Sequence, residues 1–300
     1  MNEALLRKLA KPFILLTTMI WGISFVIMKN TLDHLPTFAL LAFRFLLAAA
    51  ILALIFWKRW KSADKGYLLS GGIMGLLLFL AYTAQTFGLA GTTPGKNAFL
   101  TAVYCVMVPF LNWAAVKERP DRYNVLAAVL CVGGIGLVSL DAALTVTKGD
   151  ALTLLCGFFF AAHIVAVSKL AQGRDVFLLT TVQFAAAGAA ALLCALAFET
   201  IPAGFAGGAW AGLLYLAVAA TAGGLLFQNI GHKYTEPAAA SVLLSLEAPF
   251  GVIASMLLYG ERPTGRMLLG FGLIFAAVVC SETKFKFLKK KVDNSKATRL

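Results

Sequence analysis

Two ionisable residues stand alone inside long apolar runs: Arg44 in FALLAFRFLLAAA and Glu247 in SVLLSLEAPFG. A guanidinium in such surroundings can clasp a carboxylate or phosphate through paired N–H groups. A carboxylate there can hold an amine or take up a proton. Neither charge is tolerated in apolar surroundings without a partner or a ligand. Weaker polar groups occupy other apolar runs: Tyr82, Gln85, Tyr104, Asn112, His163, Gln183 and Gln228, with the amphipathic Trp21. Each can bond a ligand or simply tie two helices together. His163 adds a group that titrates near neutrality, although a lone His in an apolar helix commonly serves as a satisfied interior residue.

No catalytic constellation accompanies these groups. The chain has no HExxH, Ser-His-Asp or DDxxD-like cluster and no Walker A sequence. Cys105, Cys131, Cys156, Cys194 and Cys280 lack zinc or CxxC spacing and read as small apolar fillers. No catalytic residue, metal site or cofactor is expected. GFGL at 270–273 lacks the strand-turn-helix setting of a phosphate loop.

The elements that must position these groups follow from composition. Of 300 residues, 60% are apolar and only 13% charged, against about 25% charged in a soluble domain. A helix needs about 20 mostly apolar residues to cross a bilayer. Ten segments qualify: 13–30, 37–57, 67–89, 96–116, 124–141, 150–169, 177–198, 208–230, 237–259 and 266–283. The first has a basic flank (Arg7, Lys8, Lys11) but no small-residue cleavage site, so it reads as a retained helix rather than a signal peptide. The net charge of +12 does not indicate nucleic acid, because the basic residues fall in clusters between apolar runs. With ten spans both termini share one side. Twenty of the 26 Lys and Arg then fall on the side of the termini and five on the other, with Arg44 inside a span. The positive-inside rule places the termini in the cytoplasm. The basic run KFKFLKKK at 284–291 is expected to meet anionic lipid headgroups. On this topology Arg44 lies about 10 Å and Glu247 about 15 Å into the membrane. Arg44 could still reach back to the surface by snorkelling.

A repeat divides the chain. Glu118-Arg119-Pro120 returns as Glu261-Arg262-Pro263, 143 positions on. The same shift aligns Gln85 with Gln228, Gly88 with Gly231, Thr92 with Thr235, Pro94 with Pro237 and Leu100 with Leu243. Each half holds five helices, an odd number, so the second half crosses in the opposite sense. Inverted repeats of this kind characterise many secondary transporters, whose substrate sites lie between the halves. The Glu-Arg-Pro triplets read as turn and interface anchors rather than substrate contacts. The shift also places Tyr104 opposite Glu247. Pro109 and Pro249 can bend the two related helices and are candidate gating or hinge positions.

WGISFVIMK at 21–29, FRFLLAA at 43–49, the Thr-x-Pro starts at 92–94 and 235–237 and the two Glu-Arg-Pro endings resemble the drug/metabolite transporter superfamily. Within it the chain is similar to the ten-helix group built from two EamA domains. The sixth segment departs from the pattern: it lacks the Trp-Gly of the first, though Lys169 matches Lys29. The resemblance implies an all-α integral membrane protein of ten transmembrane helices in two inverted five-helix repeats, 13–141 and 150–283, followed by a basic cytoplasmic tail, 284–300. It also implies a secondary transporter in the plasma (inner) membrane. The expected substrate is a small polar or amphipathic metabolite such as an amino acid, exported by alternating access.

The expected substrate-binding set is Arg44, Glu247, Tyr104, Gln85, His163, Trp21, Tyr82 and Gln183, with Glu247 also the proton-coupling candidate. Its partners are a small-molecule substrate and the bilayer, with no nucleic acid, and nothing requires more than a monomer. An organophosphate or nucleotide-sugar exchanger would want several cations in the cavity. A membrane-embedded lipid enzyme would need an interfacial nucleophile, metal or acid–base pair.

Overall fold

The computed structural model describes residues 3–117, 119–140, 146–202, 204, 207–234 and 243–284. The Thr-x-Pro start at 235–237, Glu118 of the first triplet and the tail beyond 284 lie outside the described residues. The helices are α1 (Glu3–Leu32), α2 (Thr37–Ile55), α3 (Lys65–Ala90), α4 (Pro94–Thr101 and Tyr104–Val116), α5 (Arg122–Ser139), α6 (Lys148–Leu170), α7 (Val176–Phe198), α8 (Gly207–Leu214, continued to Tyr234), α9 (Leu243–Tyr259) and α10 (Gly265–Thr283). Among the described residues nine helices are long and apolar enough to cross a membrane, and α9 is a shorter tenth. The chain is an all-α multi-pass membrane protein.

Local chemistry sets the boundaries. Asp64, Thr93, Asp121, Thr147, Asp175 and Thr264 each cap a helix start by accepting a backbone N–H, which satisfies donors the helix leaves free. Asp121 and Asn124 form a reciprocal capping box. α1 begins ten residues ahead of the apolar run, because Arg7, Lys8 and Lys11 are themselves good helix formers. Three departures from ten simple rods bear on function. α4 is broken at Ala102–Val103. α8 widens to a π-helix over Tyr215–Gly223. α9 turns at Leu246 before Glu247–Ala254, then becomes π-helical over Ser255–Tyr259.

The packing obeys a twofold exchange of the halves. If α1 to α5 are swapped with α6 to α10, the neighbours α3–α6 become α8–α1, α3–α7 become α8–α2, and α1–α9 become α6–α4; all six pairs are in contact. The pairs α2–α7, α4–α9 and α5–α10 map onto themselves and are also in contact. The breaks share the symmetry: the second piece of α4 starts at Tyr104 and that of α9 at Glu247, the two positions aligned by the 143-residue shift.

Two buried clusters result, one built on α2, α3, α7 and α8, the other on α4, α5, α9 and α10. Their outer surfaces carry large exposed apolar side chains such as Leu54, Leu193, Leu196, Leu257 and Leu269, as expected of helices solvated by lipid tails. At the α5–α10 crossing a Cβ on Gly134 would fall 2.8 Å from the Gly270 carbonyl oxygen. Only glycine permits so close an approach.

Candidate functional site

A cavity of about 490 Å³ lies between the halves, within the range of ligand pockets. All eight residues of the expected binding set line it: Trp21, Arg44, Tyr82, Gln85, Tyr104, His163, Gln183 and Glu247. The repeat is visible in the walls. Seven pairs 143 apart face the same space, among them Tyr82 and Leu225, Gln85 and Gln228, and Tyr104 and Glu247. Arg44-Phe45 and Gln183-Phe184, at like depths in α2 and α7, also face it, with the two phenyl rings 5.8 Å apart. Each half thus contributes one charge, and each charge has an uncharged counterpart in the other half.

Arg44 does not snorkel. It is 2% exposed, and its Nε donates to Thr221 Oγ1 at 2.7 Å. Nη2 donates to Tyr82 Oη at 3.3 Å, Nη1 approaches Met28 Sδ at 3.8 Å, and the guanidinium lies 4.5 Å from the Tyr82 ring centroid. Thr221 in turn donates its single proton to the Leu216 carbonyl, five residues back, at 2.7 Å. Its lone pairs are therefore left for Arg44. The π-helical stretch creates this arrangement, and it also offers the Ala220 carbonyl to Trp21 Nε1 at 2.6 Å. Wide turns of this kind occur often at functional sites.

Glu247 is the opposite case. It opens the second piece of α9, and its carboxylate makes no hydrogen bond or ion pair among the described residues. Arg44 and Glu247 face one cavity without pairing directly, so both retain capacity for a third party. Pro249 lies in the first turn after the α9 break, where it bars a regular bond back to Ser245. Pro109 lies one to two turns beyond the α4 break, inside Tyr104–Val116.

The remaining polar groups tie helices together. Gln85 Nε2 donates to Thr101 Oγ1 at 3.2 Å, and His163 Nε2 lies 3.1 Å from Gln183 Oε1, joining α6 to α7. The aromatic walls are Trp21, Phe25, Phe45, Tyr82, Tyr104, Phe160 and Phe184.

The cavity lies toward one end of the helix bundle. Its lining descends α6 and α7 to Ala171 and Val176 at the connection between them, and stops at Phe25, Arg44, Gln85 and Thr101 in the other direction. That far end is held shut by charged groups in contact with the α3–α4 turn. Lys29 donates to the carbonyls of Leu89, Ala90 and Thr92 at 2.7–3.0 Å. Asp150, fully buried, accepts from Lys96 at 2.6 Å and from Thr92 Oγ1 at 2.9 Å. Glu261 of the second Glu-Arg-Pro accepts from Thr93 Oγ1 at 2.5 Å, from the Gly95 N–H at 2.9 Å and from Ser255 Oγ. Nearby, Glu199 accepts the first N–H groups of α2, those of Phe38 and Ala39, both at 2.9 Å. All three carboxylates belong to the second half and fasten helix starts or turns of the first. Anions suit those positions because helix N-termini carry partial positive charge.

Sequence reasoning missed Thr221, Asp150 and Glu199. A hydroxyl at the Thr-Ala-Gly-Gly run 221–224, where small residues invite close packing, was the available signal for Thr221. Asp150 and Glu199 stand at span ends, where hydropathy treats them as ordinary flanking charges.

A ten-helix membrane fold with a cavity between inverted halves defines a transporter architecture. The EamA-like transporter family model matches residues 9–140 and again 147–283, and the chain belongs to that family, within the drug/metabolite transporter superfamily. It is 31% identical over 281 residues to an "Uncharacterized transporter" of Archaeoglobus fulgidus, covering 92% of this chain and 87% of that one. A "Probable amino-acid metabolite efflux pump" of Salmonella typhimurium is 29% identical over 167 residues, 53% of each chain. A solved crystal structure with 17% identity superposes with a TM-score of 0.65, covering 93% of this chain and 98% of its own, and shares the fold.

Proposed function

We propose that the protein is a secondary active exporter of a small polar or amphipathic metabolite bearing both an amine and a carboxylate, such as an amino acid. The observation that carries this reading is the pair of separated charges in one cavity. Arg44 is fixed by Thr221 and Tyr82 and presents its remaining N–H groups to a carboxylate. Glu247 has no bonded partner among the described residues and accepts an amine or, in the empty carrier, a proton. Aromatic walls take the substrate's apolar body. The likeness to an amino-acid metabolite efflux pump over half the chain points the same way. An organophosphate or nucleotide sugar is a poorer match, since among the described residues Arg44 is the one Lys or Arg in the lining.

Transport proceeds by alternating access. The halves exchange conformations about the pseudo-twofold, closing the α6–α7 end and releasing the carboxylate fastenings at the other. With both termini cytoplasmic in the plasma membrane, the described conformation is open to the cytoplasm. Counterflow in proteoliposomes tests the reading, using labelled amino acids and small metabolites with Glu247→Gln beside wild type. One substrate class exchanges in wild type and is lost in the variant. Exchange that persists in the variant removes Glu247 from the site, and no exchange of any zwitterion by folded protein rejects the substrate class.

A further inference from the structure

A basic and aromatic surface flanks the cavity mouth without entering the cavity. It is built from two connections. The α2–α3 connection is the 3₁₀ turn Trp57–Ser62, sequence WKRWKS, with no buried residue. Trp57 is 62% and Trp60 38% exposed. The α6–α7 connection contributes Arg174 and Asp175. Arg59 pairs with Asp175, and the Asp175 N–H donates to Tyr67 Oη at 2.9 Å. The Arg174 guanidinium lies 5.3 Å from the Tyr67 ring centroid. A Cβ on Gly66 would fall 2.8 Å from both its terminal nitrogens. The two connections therefore form one continuous surface.

Its charge is unbalanced. Asp175 pairs with Arg59, and Asp64 accepts the N–H of Tyr67 at the start of α3 at 2.9 Å, so five cations, Lys58, Arg59, Lys61, Lys65 and Arg174, face two carboxylates and leave an excess of three. Lys58, Lys61 and Lys65 have no ion pair among the described residues. Arg174 Nη1 is buried with no hydrogen-bond partner. An exposed ammonium is satisfied by water, but a buried guanidinium N–H without an acceptor is costly. Directly beside this surface, Leu54, Ile55, Leu68 and Leu69 are 75%, 59%, 60% and 68% exposed, which marks the edge of the lipid-tail region. Indole rings favour the headgroup layer, and lysines there are drawn to anionic lipid.

We propose that residues 57–65 together with Arg174 form a binding site for the headgroup of an anionic phospholipid. The phosphate sits among the lysines, beside the Arg174 guanidinium. The acyl chains run along Leu54, Ile55, Leu68 and Leu69, and the two indoles bracket the headgroup. A zwitterionic lipid brings its own cation beside the phosphate, so three unbalanced ammonium groups select the lipid with net negative charge. The site is separate from the basic run at 284–291 and rests on the membrane-spanning fold alone, not on the substrate reading.

The test uses full-length protein carrying Trp113→Phe and Trp210→Phe, so that Trp57 and Trp60 dominate the lipid-accessible fluorescence while Trp21 faces the cavity. The protein is reconstituted with chain-brominated phosphatidylglycerol or chain-brominated phosphatidylcholine, and tryptophan quenching is titrated. Phosphatidylglycerol should quench at several-fold lower mole fraction. Lys58→Gln with Lys61→Gln and Lys65→Gln should remove most of that preference. Arg174→Gln should erode it while leaving phosphatidylcholine quenching, and so the fold, unchanged. Equal quenching by the two lipids in the parent protein overturns the assignment. So does a preference that survives both sets of substitutions.

Discussion

Glu261 offers the sharpest energetic test of how the far end is closed. Its carboxylate takes three hydrogen bonds, from Thr93 Oγ1, the Gly95 N–H and Ser255 Oγ, and so joins the α9–α10 turn to the start of α4. A hydrogen bond to a charged group contributes about 1.5–3 kcal/mol net, and contributions within one network are not additive. Removing the side chain with Glu261→Ala leaves a helix-start N–H and two hydroxyls without their acceptor and deletes an anion from a helix N-terminus, a further 0.3–1 kcal/mol or so. A loss of about 3–4 kcal/mol is expected. Glu261→Gln keeps one carbonyl acceptor and should lose about half as much. Arg262, adjacent in the triplet and exposed, is the control: Arg262→Gln should fall within about 0.5 kcal/mol of wild type. Denaturant titration of the purified protein in detergent, followed by tryptophan fluorescence, reads all three. Wild-type stability in Glu261→Ala, or an equal loss in Arg262→Gln, would refute the fastening.

Further outcomes follow from other contacts. Thr221→Val removes the acceptor of Arg44 Nε at nearly constant shape; transport should fall at least ten-fold, whereas Thr221→Ser, measured in the same counterflow assay, should retain most of it. Gly22→Ala would place a Cβ 2.7–2.8 Å from Phe250 and Gly251, forcing α1 from α9; a melting temperature lower by several degrees is expected, with reduced exchange. Outside the membrane, the Lys284 ammonium bonded to Asp121 holds that carboxyl below its ordinary value of 3.8. The folded state then binds the proton less readily than the unfolded chain, so the contribution is present above the unfolded value and lost as pH falls through the lower folded one. Lys284→Gln should therefore be less stable at neutral pH but lose less on acidification below about pH 4, and the shallower slope of stability against pH over that range measures it.

Much of this architecture is legible in the sequence because the bilayer imposes a simple rule. The 143-residue repeat aligns Tyr104 with Glu247, and the rarity of charge inside ten apolar runs singles out Arg44 and Glu247. The same rule is silent about turns. The π-helical stretch of α8 and the breaks of α4 and α9 leave hydropathy unchanged, because they alter which carbonyl meets which N–H rather than which side chains meet lipid. Thr221 is invisible for a second reason: its partner Arg44 lies 177 residues away, and one hydroxyl among small residues has no periodicity. The Glu-Arg-Pro triplet carried a partial message. Its recurrence marked a turn at the headgroup layer, but the Glu261 carboxylate instead bonds within the protein, to Thr93 and Gly95 at the Thr-Pro start of α4 and to Ser255.

The central claim is that one cavity between the inverted halves serves both sides of the membrane in turn. Ser24 lines that cavity near its inner limit, and Ser24→Cys in a chain with the five native cysteines replaced gives a small reporter there. In proteoliposomes of known orientation, a membrane-impermeant thiol reagent should label the reporter from the α6–α7 side, and also from the opposite side, with the second rate rising when Glu261→Gln is added. Labelling confined to the α6–α7 side in both proteins, under conditions where substrate exchange is proceeding, would contradict the account.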